Sequence, residues 1–178
     1  MKWLKFTALS CAAMALLSVV SCAQATSESE AKTAIERLDF LAGNWGGEGL
    51  SFAEDGTQTR YYDTEHVRFD LDNHLLLINA KGERDGQLTY QLHTVIYYDV
   101  EAQHYLYTPY SGRRAARSFN CDLNKQKLIC LTEAKAFRLT FQRLADGRWN
   151  EFGERLIDDK WRKTFETKLS ELTEDKTP

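Results

Sequence analysis

From Gly43 onward the hydrophobic pattern of this chain has a period of two, and it keeps that period almost to the C-terminus. Segments of about 6 to 12 residues, rich in Tyr, Phe, Val, Leu and Thr, are divided by turn signals. The separators are EDG (54–56), DLDN (70–73), ERDG (83–86), DVEAQ (99–103), YSGR (110–113), LNKQK (123–127), ADG (145–147) and IDD (157–159). They leave about ten strands. Short connections force neighbouring strands to run antiparallel, because a parallel pair needs a long crossover. Many even strands without intervening helices fold as a sandwich or an up-and-down barrel. Pro109 and Pro178 are the only prolines, so ladders can run unbroken.

Before Gly43 the chain changes character. In MKWLKFTALSCAAMALLSVVSCAQA, Lys2 and Lys5 precede an apolar run from Leu9 to Val20. The run is short for a bilayer span and ends in small residues, the layout of an export signal. Ala23-Gln24-Ala25 fits cleavage after residue 25. Val19-Val20-Ser21-Cys22 fits a bacterial lipobox, which would make 1–21 the signal and Cys22 a lipidated N-terminus. Either route predicts an exported protein, periplasmic or an outer-membrane lipoprotein. Residues 26–34 read as a polar tether. Ala34, Ile35, Leu38 and Leu41 recur at helical spacing within 31–42, predicting a short amphipathic helix that stops at Gly43. Residues 35–172 form one domain, and 173–178 a frayed, charged tail.

Cutting after Ala25 leaves 153 of the 178 residues, a normal single-domain size. Losing Lys2 and Lys5 moves the formal net charge from −3 to −5. An acidic chain is poorly suited to a nucleic-acid partner or to an anionic membrane surface. Membrane contact is expected only through an anchor at Cys22. The oligomeric state is not encoded in any pattern found.

The mature chain keeps Cys121 and Cys130, in SFNCDLNKQKLICLTE. A hairpin centred on Lys125-Gln126 sets these two positions opposite each other, close enough for a cross-strand disulfide. Export to an oxidising compartment permits the bond. Two buried free thiols are the alternative. The spacing is not a zinc signature.

Alternation assigns the inner faces. Phe137, Leu139 and Phe141 share one face of 136–144, and Leu88, Tyr90, Leu92, Ile96 and Tyr98 share one face of 88–99. Trp161, Phe165 and Leu169 align in 161–169. In 61–71, Tyr61, Asp63 and Glu65 align with Val67, Phe69 and Leu71, so one end of that face is acidic and the other apolar. A barrel with a packed bottom and a wetter mouth produces this gradient. An inward Glu65 needs a cation or hydrogen bonds, or else a raised pKa. Arg143 and Lys163 are candidate partners in an internal salt bridge. The functional alternative makes Glu65 and Arg143 polar anchors for a ligand, with Trp45, Tyr90, Tyr98, Trp161 and Phe165 enclosing its apolar part.

FLAGNWGGEG (40–49) contains Gly43-Asn44-Trp45, which resembles the G-x-W opening of lipocalin-like barrels. The resemblance implies that Trp45 caps the closed end and packs on the N-terminal helix. Glycines suit a strand bent sharply to close a barrel. With YYDTEHVRFDLDNHLLLINAKGE, TVIYYD, GRWNEFGE and KWRKTFETKL, the chain resembles a bacterial family of lipocalin-like β-barrels that is a domain of unknown function. The likeness runs from about Leu38 to Leu172. It implies a lipocalin-like architecture and brings almost no chemistry. The glycine-rich opening is also similar to nitrobindins, which bind haem through a C-terminal histidine. Here no histidine follows His104, so haem is disfavoured and no cofactor is expected.

The other histidines are His66, His74 and His93, and no H-x-H, H-x-x-x-H or H-E-x-x-H occurs. Each reads as a surface or turn residue rather than a metal ligand. No G-x-S-x-G, P-loop or dinucleotide fingerprint is present. The cluster Arg113, Arg114 and Arg117 in SGRRAARS is a solvated loop or an anionic contact at the barrel mouth. The leading expectation is a non-enzymatic exported barrel that binds or carries a small hydrophobic or amphipathic ligand. A scaffold filled by its own side chains is the first alternative. A barrel enzyme is the second, and it requires Glu65 to be desolvated, without a cation, and facing an open cavity.

Overall fold

A computed structural model of the chain describes residues 27–112 and 114–173. The expected export signal, Cys22, Arg113 and residues 174–178 lie outside the described residues. The two-residue period builds ten strands: β1 (Gly43–Phe52), β2 (Gln58–Asp70), β3 (Leu75–Arg84), β4 (Gln87–Asp99), β5 (His104–Tyr110), β6 (Phe119–Asn124), β7 (Lys127–Leu131), β8 (Phe137–Arg143), β9 (Trp149–Ile157) and β10 (Lys160–Glu171). Each pairs antiparallel with its sequence neighbours, and β1 also pairs with β10. The sheet is therefore a closed up-and-down barrel with no free edge.

A helix, α1 (27–36), precedes the barrel, followed by a 3₁₀ turn at Asp39–Leu41. Residues 27–34 are thus helical, where the polar composition predicts a tether. Glu28 and Glu30 fall in the first turn, where acidic groups favour the positive helix end. The polar face is also tied down. Lys32 meets Asp72 at 3.0 Å, Asn73 donates to Glu36 at 3.0 Å, and Gln103 donates to Glu30 at 2.9 Å. These partners lie in the β2–β3 and β4–β5 turns, so α1 lies across that end of the barrel.

The apolar face of α1 supplies Ala34, Ile35 and, just past the helix, Leu38 to a core shared with Trp45, Leu76, Ile96, Trp149 and Leu169. Trp45 is buried, stands edge-on to Trp149 with ring centroids 5.9 Å apart, and donates its indole N–H to the Leu41 carbonyl at 2.9 Å. It closes the barrel against the N-terminal helical segment, as the G-x-W opening implies. The close approach of β10 explains a neighbouring glycine: a carbon added at Gly47 would lie 2.2 Å from the Lys168 carbonyl oxygen.

Cys121 and Cys130 are cross-strand partners with Cα atoms 3.9 Å apart, and they are bonded. The Lys125-Gln126 turn centres the hairpin as the spacing predicts, with Lys125 at φ 55°.

One irregularity changes what faces inward. A β-bulge between Lys163 and Phe165 shifts β10 by one residue against β9. Phe165, Thr167 and Leu169 stay on the inner face opposite Gly153, Glu151 and Trp149. Beyond the bulge, Lys163 pairs with Glu154 and Trp161 with Leu156, on the outer face. Simple alternation predicts Trp161 inside, and the extra residue reverses it. Trp161 instead lies under the Arg138 guanidinium, 4.3 Å from its ring centre.

Gly47→Ala is expected to destabilise the protein by about 1–3 kcal/mol in urea unfolding, through overpacking against β10. Gly112→Ala, where an added carbon meets open space, should shift stability by less than about 0.5 kcal/mol.

Candidate functional site

Above the Trp45–Trp149 layer the barrel is hollow. A cavity of about 470 Å³ opens there, lined by residues of β1 to β5, β9 and β10. Its walls are aromatic: Tyr61, Tyr90, Tyr107 and Phe165. Three of these rings occupy space left by glycines on the adjacent strand. Tyr61 covers Gly49, Tyr90 covers Gly82 and Phe165 covers Gly153, each pair directly opposed across the sheet. A side chain on any of these glycines would collide with the ring. Tyr61 and Tyr90 also meet edge-to-face at 5.9 Å.

The floor is acidic. Glu65 and Glu151 line the cavity, and Asp63 lies on the same inner face as Glu65. All three are buried, with Asp63 only 2% exposed. The Glu65 and Glu151 carboxyl groups lie within hydrogen-bonding reach of each other, an arrangement that favours a proton between them. The Tyr90 hydroxyl bonds to Asp63. Burial, then mutual repulsion, holds Glu65 well above the usual carboxylate range and pushes Glu151 up to about 8. Asp63 is pushed up to about 7 by burial. The same burial and the neighbouring acids raise the phenols of Tyr61, Tyr90 and Tyr107.

Polar atoms remain without partners around this floor. One Asp63 carboxyl oxygen has no hydrogen bond, nor do the hydroxyls of Thr164 and Thr167 on β10. Thr167 is 1% exposed and stands opposite Glu151. Among the described residues, no three His, Cys, Asp or Glu side chains are grouped to hold a metal ion.

The structure brings Glu65, Tyr90 and Phe165 together at the cavity and separates the other residues singled out from the sequence. Trp45 and Arg143 are at the closed end, where the Arg143 guanidinium lies 4.3 Å over the Trp45 ring and 4.0 Å from Glu171. Tyr98 packs there against Tyr105 at 5.0 Å, and the Tyr105 hydroxyl donates to the Ala34 carbonyl. Neither suggested cation reaches Glu65: Arg143 is held at the plug, and Lys163, outside the barrel, pairs with Glu166 at 2.9 Å. The salt bridges suggested for Glu65 with Arg143 or Lys163 are therefore not formed. Glu151 and Tyr107 were not signalled by any motif. Parity would have found Glu151, two residues from Trp149 in GRWNEFGE.

Arg114 and Arg117, in the 111–118 connection, line a wider groove that adjoins the cavity and shares Tyr90, Tyr107, Glu151 and Phe165 with it. The four histidines make local contacts away from both: His66 with Asn44, His93 with Asn79, His74 with Leu71 and His104 with Ala102.

Fold and site together define a closed ten-strand antiparallel barrel, plugged at one end and holding an acidic, aromatic-walled cavity at the other. No protein-family model matches the sequence, and no curated protein does. Among solved structures it is similar to Rv2717c from M. tuberculosis, with a TM-score of 0.58 and 10% sequence identity. That match covers 79% of this chain and 98% of the other. At this identity the likeness shows the barrel fold alone.

The floor gives a signed pH dependence. A carboxyl whose folded pKa is raised binds its proton more tightly when folded, so its contribution to stability is full below the unfolded value, about 4. It is lost as pH rises toward the folded values, about 7 for Asp63 and about 8 for Glu151. Unfolding free energy should therefore fall between pH 5 and 8.5, by roughly 1 kcal/mol per pH unit for each such carboxyl. Urea titrations at fixed pH measure the slope, and Glu151→Gln should flatten it.

Proposed function

We propose that this protein is an exported binding or carrier barrel for a small amphipathic molecule, whose polar group is buried at the Glu65–Glu151 floor. The observation that supports this most is the cavity itself. A scaffold filled by its own side chains would extend the Trp45–Trp149 packing upward, whereas here aromatic walls enclose about 470 Å³ above buried polar groups. Apolar walls with a few convergent polar groups are the usual make-up of a small-molecule site. The Cys121–Cys130 bond supports an oxidising compartment, in line with the export signal and with a periplasmic or outer-membrane lipoprotein location. The proposed family is the bacterial lipocalin-like one that the G-x-W opening and later motifs resemble.

A second reading, acid–base chemistry by Glu65 and Glu151, has a specific observation in its favour. Glu65 is desolvated, lacks a cation and faces an open cavity. Perturbed buried carboxyls are also what general acid catalysis employs. The binding reading leads because no nucleophile or cofactor motif accompanies the pair in the sequence.

Native mass spectrometry of protein taken from its host envelope, followed by denaturing mass measurement, separates these readings. The expected result is a bound mass that is released on denaturation and absent from Leu92→Trp, which fills the cavity while leaving the melting temperature within a few degrees. Returning the released compound to the protein should leave it chemically unchanged; conversion would establish the enzymatic reading. If Glu65→Gln alters neither binding nor conversion, Glu65 has neither role.

A further inference from the structure

We infer that the buried end of the ligand is an ammonium group, so that the barrel selects organic amines carrying an apolar body. The inference rests on the ligand-binding reading above and adds the chemical class of ligand.

Three acidic side chains converge from β2 and β9, and among the described residues no Lys or Arg forms an ion pair with them, Arg84 lining the cavity only near its mouth. Arg143 is spent on the closed end, Lys163 and Arg138 are outside, and Arg60, which reaches the mouth, is paired with Glu48 at 3.0 Å. The titratable groups facing the floor are Tyr61, Asp63 and Glu65 from β2, Tyr90 from β4, Tyr107 from β5 and Glu151 from β9. Beside the floor the inner faces of β1, β3 and β10 bring glycine, aliphatic residues, threonine and Phe165, and the charge that β3 adds to the cavity wall is the exposed Arg84 at its end, near the mouth. Everything at the floor is thus an acid, a phenol or a hydroxyl.

An ammonium group supplies what this set lacks. It carries three N–H donors and one positive charge, and accepts nothing. The Asp63 oxygen and the Thr167 hydroxyl oxygen, both unpartnered and at least nine-tenths buried, are acceptors on the inner face beside Glu65 and Glu151. Aromatic rings of Tyr61, Tyr90 and Tyr107 surround it, and ring faces attract cations. A carboxylate or phosphate head group would instead add a like charge among three buried acids. A bare metal ion is poorly served, since the acids are not grouped for coordination. The apolar walls suit a hydrocarbon or aromatic body.

Proton balance follows from the same geometry. In the free barrel the Glu65–Glu151 pair keeps a proton between its carboxyl groups. When R–NH₃⁺ enters, that proton leaves to solvent, and the freed carboxylate accepts N–H hydrogen bonds in its place. No covalent bond forms or breaks.

The test uses three probes of equal chain length, octylammonium, octanol and octanoate, displacing the neutral dye N-phenyl-1-naphthylamine from the mature protein at pH 7. A charge-assisted hydrogen bond predicts that octylammonium binds at least about tenfold more tightly than octanol, with octanoate weakest. Calorimetry in two buffers of different ionisation heat should show release of about one proton per octylammonium bound. Glu151→Gln should remove most of the octylammonium preference over octanol, with an unchanged far-UV spectrum and a cooperative melt as the control for folding. If octanol or octanoate binds as tightly as octylammonium, or if the dye binds and the amine fails to displace it, the ammonium inference is overturned. If neither the dye nor any probe enters the barrel, the ligand-binding reading itself falls.

Discussion

The edge-to-face contact between Trp45 and Trp149 is the constraint on which the rest of this molecule depends. A ten-strand barrel is too wide to be closed by strand backbone alone. The two indoles, with Leu38, Leu41 and Ile35 beneath them, fill that width at one end only. The Trp45 N–H is satisfied by the Leu41 carbonyl, so the plug buries large rings without stranding that donor. Because α1 is ion-paired and hydrogen-bonded to the β2–β3 and β4–β5 turns, the plug is anchored from outside as well as packed from within. The hollow above it is a direct result of where the packing stops.

Just above the plug the chain does something energetically unfavourable: it buries three carboxyl groups. Buried acids are normally matched by a cation, and here Arg143 and Lys163 are engaged elsewhere. The molecule resolves the conflict by keeping protons on the cluster. That solution leaves acceptors underused at the floor, and it makes the occupancy of the cavity and the protonation of its floor two descriptions of one equilibrium.

Much of the fold was readable because it follows from local signals. Turn residues marked the strand ends, period two gave the faces, and Cys121 and Cys130 fell opposite each other once their hairpin was centred. The inward placement of Tyr61, Asp63 and Glu65 followed from alternation along one strand. What could not be read was anything that depended on register between strands. Trp161 was misplaced because a bulge is a property of the β9–β10 pair, invisible in either strand alone. Arg143 lies on the right face but is drawn to the plug by an aromatic ring and a distant carboxylate. Glu151 became meaningful only when closure of the barrel placed it across from Glu65. Residues 27–34 looked like a tether because their polar side chains find partners in turns more than thirty residues away.

The three glycine–ring couples divide the wall of the cavity into tiles, two of them joined where Tyr61 meets Tyr90. In each, one strand contributes a missing side chain and its neighbour contributes the ring that covers the gap. Neither member can be enlarged or removed alone without a clash or a hole, yet at Gly153–Phe165, whose ring carries no polar group to the floor, both can be exchanged together with no change to the ladder. The caliber of the chamber and the chemistry of its base are thus separately heritable: a descendant could accept a bulkier or slimmer guest by swapping one tile, while still recognising the same polar group.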